Sequence, residues 1–144
     1  MFAKQLTVFV ENRTGRLCEV LEVLKRNNVN ILSLSLADTT EFGLLRLIVD
    51  QPALGKEKLI ENGFSSLTSD VTIIKILHKA GSLQELLALV ESKGINIEYM
   101  YGLSIETEAD DAYVVVKASD IAALDKLLTE NNIPTISCEG LKEI

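Results

Sequence analysis

Gly15-Arg16-Leu17-Cys18-Glu19-Val20-Leu21 and Gly81-Ser82-Leu83-Gln84-Glu85-Leu86-Leu87 are two versions of one segment. Gly, Leu, Glu and Leu recur at a constant offset, and the same offset carries Asn30-Ile31 onto Asn96-Ile97. After a change of register of three residues the match resumes, with Leu59, Glu61 and Asn62 answered by Leu128, Glu130 and Asn131. The chain is therefore written twice, and the recurring Gly and Asn mark where function is to be sought.

The hydrophobic period changes in the same order in both copies. In the first, Leu6, Val8 and Val10 alternate with Gln5, Thr7 and Phe9, which predicts a strand. Leu17, Val20, Leu21 and Leu24 then fall on one helical face, stopped by Asn27-Asn28. Ile31 to Leu36 and Leu44 to Val49 form a hairpin around the turn Asp38 to Glu41. Asp50 as cap and Pro52 open a second helix that Gly63 ends, and Phe64 begins a last short strand. In the second copy, Val71 to Leu77 is a strand, and a Ser82/Glu85 capping box starts a helix that Gly94 closes. Ile95 to Ile105 and Tyr113 to Ala118 make a hairpin with a longer acidic turn, Glu106 to Ala112. Asp120 caps a helix bearing Ile121, Leu124, Leu127 and Leu128, and Ile133 to Cys138 is the final strand. The reading is α+β, two ferredoxin-like βαββαβ repeats with helices on one sheet face. The boundary falls near Ser69, giving domains 1–69 and 70–144 joined by the short stretch Ser65 to Asp70.

The 14 basic and 21 acidic residues leave a net charge of -7, which disfavours nucleic acid and anionic membranes as partners. Cys18 and Cys138 form neither a CxxC pair nor a disulfide framework; both read as buried apolar residues of a reduced, cytoplasmic protein. The start of the chain has no signal-peptide pattern, and no apolar run is long enough to span a bilayer. With one histidine, no Ser-His-Asp or Cys-His pattern and no Gly-rich phosphate loop, catalysis has little support, and no cofactor or metal is expected.

Glu11-Asn12-Arg13-Thr14-Gly15-Arg16-Leu17, followed by Asn28-Val29-Asn30-Ile31, resembles the ACT domain, a ligand-sensing module of regulated enzymes of amino-acid metabolism. Only Thr14 departs from the Asn-Arg-Pro-Gly-like turn of that family. The second copy, His78-Lys79-Ala80-Gly81-Ser82-Leu83, keeps the glycine and replaces the Asn, the Arg and the proline. The resemblance implies two copies side by side in one eight-stranded sheet, a free amino acid as ligand, a regulatory role and a homodimer. It also implies ligand sites where the turn of one copy faces the Asn-Ile strand start of the other. The first would join Asn12, Arg13, Thr14, Gly15, Arg16 and Leu17 to Asn96 and Ile97. The pseudo-symmetric site would join His78, Gly81, Ser82 and Leu83 to Asn30 and Ile31.

Elementary chemistry makes the first turn an anion site in its own right. Gly15 lets the backbone approach closely, the first-turn N–H groups of the following helix favour a carboxylate, and Arg13 and Arg16 add cations. Asn12 or Asn96 offers a carbonyl oxygen to an ammonium. The blander alternatives are glycines that only permit a tight turn, asparagines bonded to nearby backbone, solvated arginines and a loop histidine. Tyr99, Met100 and Tyr101 read as pocket lining or as core or subunit contacts, and Glu106 to Asp111 as a solvated hairpin tip or a Ca²⁺ loop. The expected function is a non-catalytic amino-acid sensor acting on a separate enzyme or regulator; the alternative is an assembly module without a ligand.

Overall fold

The computed structural model describes residues 1–38, 41–103 and 110–141. Two compact units emerge, Lys4–Ser69 and Asp70–Ile144, the latter joined by Met1–Ala3. The first repeat comprises β1 (Ala3–Glu11), α1 (Arg16–Arg26), β2 (Ile31–Asp38), β3 (Phe42–Val49), α2 (Pro52–Glu61) and the start of β4 (Ser65–Leu77). The rest of β4 opens the second, followed by α3 (Ser82–Ser92), β5 (Ile97–Gly102), β6 (Asp111–Ala118), α4 (Ile121–Glu130), β7 (Thr135–Ile136) and a final turn of helix, α5 (Cys138–Leu141). Each repeat is thus the mixed α+β, ferredoxin-like unit of an antiparallel sheet with two longer helices.

In the first repeat the strand order is β2-β3-β1-β4. Glu11↔Phe42 and Leu6↔Leu47 register β1 on β3, while Ile31↔Val49 and Asp38↔Gly43 register β2 on the other edge of β3. Leu6, Val8 and Val10 meet Val20, Leu24 and Leu59 in a core closed by Phe64. The second repeat orders β5-β6-β4-β7 and has its own core, with Ile74, Val114 and Val116 under Leu86, Val90, Leu124 and Leu128. A fully buried Leu or Val contributes about 1.5–3 kcal/mol, so each cluster is a substantial hydrophobic core.

Several expectations need correction, each for a local reason. Ser65 to Asp70, expected as a short link, is the first half of β4, which continues without a break to Leu77. The first helix buries Val20, Val23 and Leu24, leaving Leu17 exposed. Asp50 does not cap α2: the N-cap is Gln51, and the Asp50 carboxylate accepts the Asn30 N–H at 2.9 Å instead. Ser82 and Glu85 form no capping box, because Gly81 is the N-cap, at φ +90°, and Glu85 N–H donates to the Gly81 carbonyl. The last strand stops at Ile136: the Ser137 hydroxyl accepts the Gly140 N–H and starts α5, which turns Cys138 and Leu141 inward. Cys138 is buried as expected, but Cys18 is exposed on α1. The expected turns at 38–41 and 106–112 lie partly outside the described residues.

Candidate functional site

The two strand-to-helix turns match bond for bond. Arg13 N–H donates to Glu11 O (2.8 Å), Arg16 N–H to Arg13 O (3.2 Å) and Glu19 N–H to Gly15 O (3.0 Å). In the second repeat Lys79 donates to Leu77 O (2.9 Å), Ser82 to Lys79 O (3.3 Å) and Glu85 to Gly81 O (2.9 Å). Both turns are tied to the hairpin as well, Asn12 N–H to Glu41 O and His78 N–H to Asp110 O. Gly15 and Gly81 sit at φ +89° and +90°, a region that a Cβ makes unfavourable, which explains why the glycine recurs when its neighbours do not. Among the described residues no side chain caps α1 or α3; the Arg16 and Ser82 N–H groups are taken by the turn, which leaves those of Leu17 and Cys18, and of Leu83 and Gln84, to face an anion.

Beside the first turn lies a hollow of about 300 Å³, lined by Val10, Glu11, Asn12, Arg13, Leu17, Leu36 and Gly43. It brings together the expected Asn12, Arg13 and Leu17. Leu36 and Gly43 join them from the hairpin, and only the strand register reveals that they do. Thr14 and Gly15 are exposed in the turn itself. Arg13 is exposed and 3.5 Å from the Glu11 carboxylate. Arg16 goes elsewhere: Nη1 lies 2.6 Å from Glu19 Oε2, and the guanidinium stacks 4.4 Å from the Phe64 ring centroid. Arg13 is therefore the exposed cation of this turn, while Arg16 is half-buried in its own repeat.

Asn30 and Ile31 line another hollow, of about 410 Å³, with Leu21, Lys25, Asn28 and Val29. This hollow is at the far end of the first repeat from the turn, since Glu11 pairs with Phe42 at one end of β3 and Ile31 with Val49 at the other. At roughly 3.3 Å per residue, the two ends are on the order of 20 Å apart. A single repeat cannot bring its own turn and its own Asn-Ile start onto one small ligand. Both starts are also built alike. Asp50 N–H donates to Asn30 O and Ser119 N–H to Asn96 O, and the Asn96 side-chain amide reaches Ser119 Oγ at 3.0 Å. A register irregularity follows Ile31 and Ile97 in turn, the kind of bulge that redirects a strand.

In the second repeat His78, Gly81 and Leu83 are exposed and Ser82 is half-buried. Ser82 opens onto a cleft of about 400 Å³ whose other walls include Lys75, Lys79, Glu85 and Ile133. Met100, partly buried, packs against the second core. Among the described residues no group of three or more His, Cys, Asp or Glu is placed to hold a metal, and no helix is long and apolar enough to cross a membrane.

Comparison with known proteins places this geometry. The family model of the ACT domain pair matches residues 1–143. Among solved structures, the chain is similar to protein BT0572 from Bacteroides thetaiotaomicron, with 34% identity and a TM-score of 0.92 over 100% of this chain and 98% of that one. It is similar in fold to the ligand-free regulatory subunit of aspartate kinase from Thermus thermophilus, with 18% identity and a TM-score of 0.60 over 88% of this chain and 91% of that one. The aspartate kinase regulatory subunit from Thermus flavus gives 12% identity and 0.59 over 99% and 93%. No curated protein matches the chain.

Proposed function

This chain belongs to the ACT domain pair family, and from that premise we propose that it is a non-catalytic sensor whose first-repeat turn binds a free amino acid. The observation that carries the proposal is the hollow beside that turn, where Asn12, Arg13 and Leu17 converge next to an uncapped helix start. A carboxylate suits the first-turn N–H groups of α1 and the Arg13 guanidinium. An ammonium suits the Asn12 carbonyl oxygen, and a side chain suits Val10, Leu17 and Leu36. Asn96 and Ile97 of the other repeat are proposed to complete this site, and Asn30 and Ile31 to complete its counterpart at His78, Gly81, Ser82 and Leu83. The fold is shared with regulatory subunits of aspartate kinase, which supports action on a separate enzyme or regulator of amino-acid metabolism; a cytoplasmic setting is part of the proposal. A ligand that favours one of two conformations would transmit the signal.

The test is thermal unfolding against the twenty amino acids at millimolar concentration, then calorimetric titration of each hit. At about 100 times its dissociation constant, a ligand confined to the folded state adds roughly 2.7 kcal/mol and raises the midpoint by several degrees. Asn12→Ala and Arg13→Ala, both at exposed positions, are expected to abolish that rise without lowering the unliganded midpoint. Retention of the rise in both variants sinks the assignment of the turn.

An assembly module without a ligand has an observation of its own: Leu34, Leu36 and Phe42 are each about half exposed on the β2-β3 hairpin, and β2 is an edge strand. Silence across the amino-acid panel, with a homodimer that Leu34→Glu dissociates, selects that reading.

A further inference from the structure

Three of the four longer helices end alike. Asn27 closes α1, Asn62 closes α2 and Asn131 closes α4, and in each the side-chain amide donates to the carbonyl four residues back at 2.8 Å. The next residue takes a left-handed backbone each time, Asn28 at φ +56°, Gly63 at +86° and Asn132 at +54°. Asparagine thus serves at two of these ends, and a Cβ at Gly63 would meet no atom within 4 Å. Packing does not demand a glycine there, yet Asn62-Gly63 is the one Asn-Gly pair in the chain.

Asparagine is thermolabile, and before glycine it is most reactive because no Cβ shields the following amide. The Gly63 nitrogen gives up its proton to hydroxide and attacks Asn62 Cγ; a C–N bond forms, the Cγ–Nδ2 bond breaks, and the amide leaves as ammonia. Water then opens the succinimide ring, to aspartate if it breaks the new bond and to isoaspartate if it breaks the original peptide bond. Nothing is oxidised or reduced. Two features of the structure govern this reaction. Gly63 N–H must leave Ile60 O (3.1 Å) and Asn62 Nδ2 must leave Lys58 O, both bonds of an exposed last helical turn, so fraying of that turn suffices. Arg26, exposed at the end of α1, donates from Nη2 to Asn62 Oδ1 at 3.3 Å, which draws electrons from Cγ and stabilises the charge that the attack places on that oxygen. Its counterpart Ser92 donates to Leu89 O instead. We propose that Asn62 is a self-modifying site: it deamidates in the folded chain, promoted by Arg26, which then holds the aspartate as an ion pair between α1 and α2. The isoaspartate branch adds a methylene to the main chain two residues before Phe64, on which Arg16 stacks, so the reaction reaches the start of α1. No ligand takes part, and the chemistry is independent of the turn hollow.

The experiment is incubation of the full chain in warm, mildly alkaline buffer, followed by peptide mass spectrometry. Isoaspartate is read by an isoaspartyl methyltransferase with labelled S-adenosylmethionine. The peptide holding Asn62 is expected to gain the mass difference between hydroxyl and amino, and to accept label, roughly tenfold or more faster than the peptides holding Asn27 and Asn131. Gly63→Asn copies the end of α4 and is expected to bring position 62 down to the rate of Asn131. Arg26→Ala is expected to slow the gain roughly fivefold, with circular dichroism unchanged. Were Arg26 only a tie between the two helices, its removal would free the last turn of α2 and speed the reaction, so the sign of the change separates the two roles. No gain at Asn62 in the folded chain, an equal gain at Asn27 or Asn131, or an equal or faster rate in Arg26→Ala overturns the proposal.

Discussion

The first and second repeats keep one backbone and fill it differently. Their helix starts share the same hydrogen bonds and the same left-handed glycine, yet Asn12-Arg13-Thr14 has become His78-Lys79-Ala80 and Arg16 has become Ser82. The second helices diverge further. Gly55 lets α2 approach so closely that a Cβ there would stand 3.1 Å from Leu6 Cδ2 and 3.4 Å from Leu24 Cδ2; its counterpart on α4 is Leu124, fully buried. What the repeats share is the part that dictates the fold. What they do not share decides which hollows are open, and the two repeats are therefore expected to differ in ligand binding before they differ in architecture.

The sharpest break of that comparison exchanges the two helix positions. Leu124→Ala removes a fully buried side chain and is expected to lose about 2–5 kcal/mol by transfer and cavity together. Gly55→Leu forces a large side chain into a contact already filled by Leu6 and Leu24 and is expected to lose about 1–3 kcal/mol or more. Urea unfolding followed by circular dichroism gives both losses. An unchanged midpoint for Gly55→Leu would mean that α2 does not approach its sheet as described.

The helix-start glycines test what is shared. A Cβ at position 15 or 81 meets no atom within 4 Å, so the effect of valine there is expected to be backbone strain. A β-branched residue held at φ near +90° costs about 1–3 kcal/mol, and the two variants are expected to agree within about 0.5 kcal/mol. A large difference between Gly15→Val and Gly81→Val would show that one turn relaxes where the other cannot.

Much of this was legible in the residues. The recurrence of Gly15 as Gly81 and of Asn30 as Asn96 marks two identical turns and strand starts, and the period changes identify the strands and helices between them. Other features depend on partners remote in sequence. Arg16 reads as a cation at the turn until Phe64, brought alongside by α2 and its turn, takes up the guanidinium. Leu36 and Gly43 enter the turn hollow only through the β2-β3 register. Ser82-x-x-Glu85 has the spacing of a capping box, but the positive φ of Gly81 moves the cap back by one residue and turns Ser82 toward the cleft. The run Ile133 to Cys138 looks like a strand by composition, yet Ser137 can begin a helical turn, and burial of Cys138 with Leu141 favours it.

The smallest expected effect lies in the starts of α2 and α4, where the repeats made different choices at one position. Asp120 accepts the Ala123 N–H at 3.0 Å and satisfies one of the donors that a helix start leaves unpaired. Its counterpart Gln51 makes no such bond; its side chain donates to Asn28 O at 3.1 Å, and Pro52 follows as the first helical residue. Asp120→Ala is expected to lose about 1 kcal/mol, which lowers the thermal midpoint by roughly 2–4 °C in a chain of this size. Gln51→Asp gains a cap of similar worth but gives up the tie to Asn28, so its net change is expected to stay within about 0.5 kcal/mol. A stabilisation of α2 equal to the loss at α4 would show that the Gln51 tie contributes nothing, and that the two helix starts are interchangeable after all.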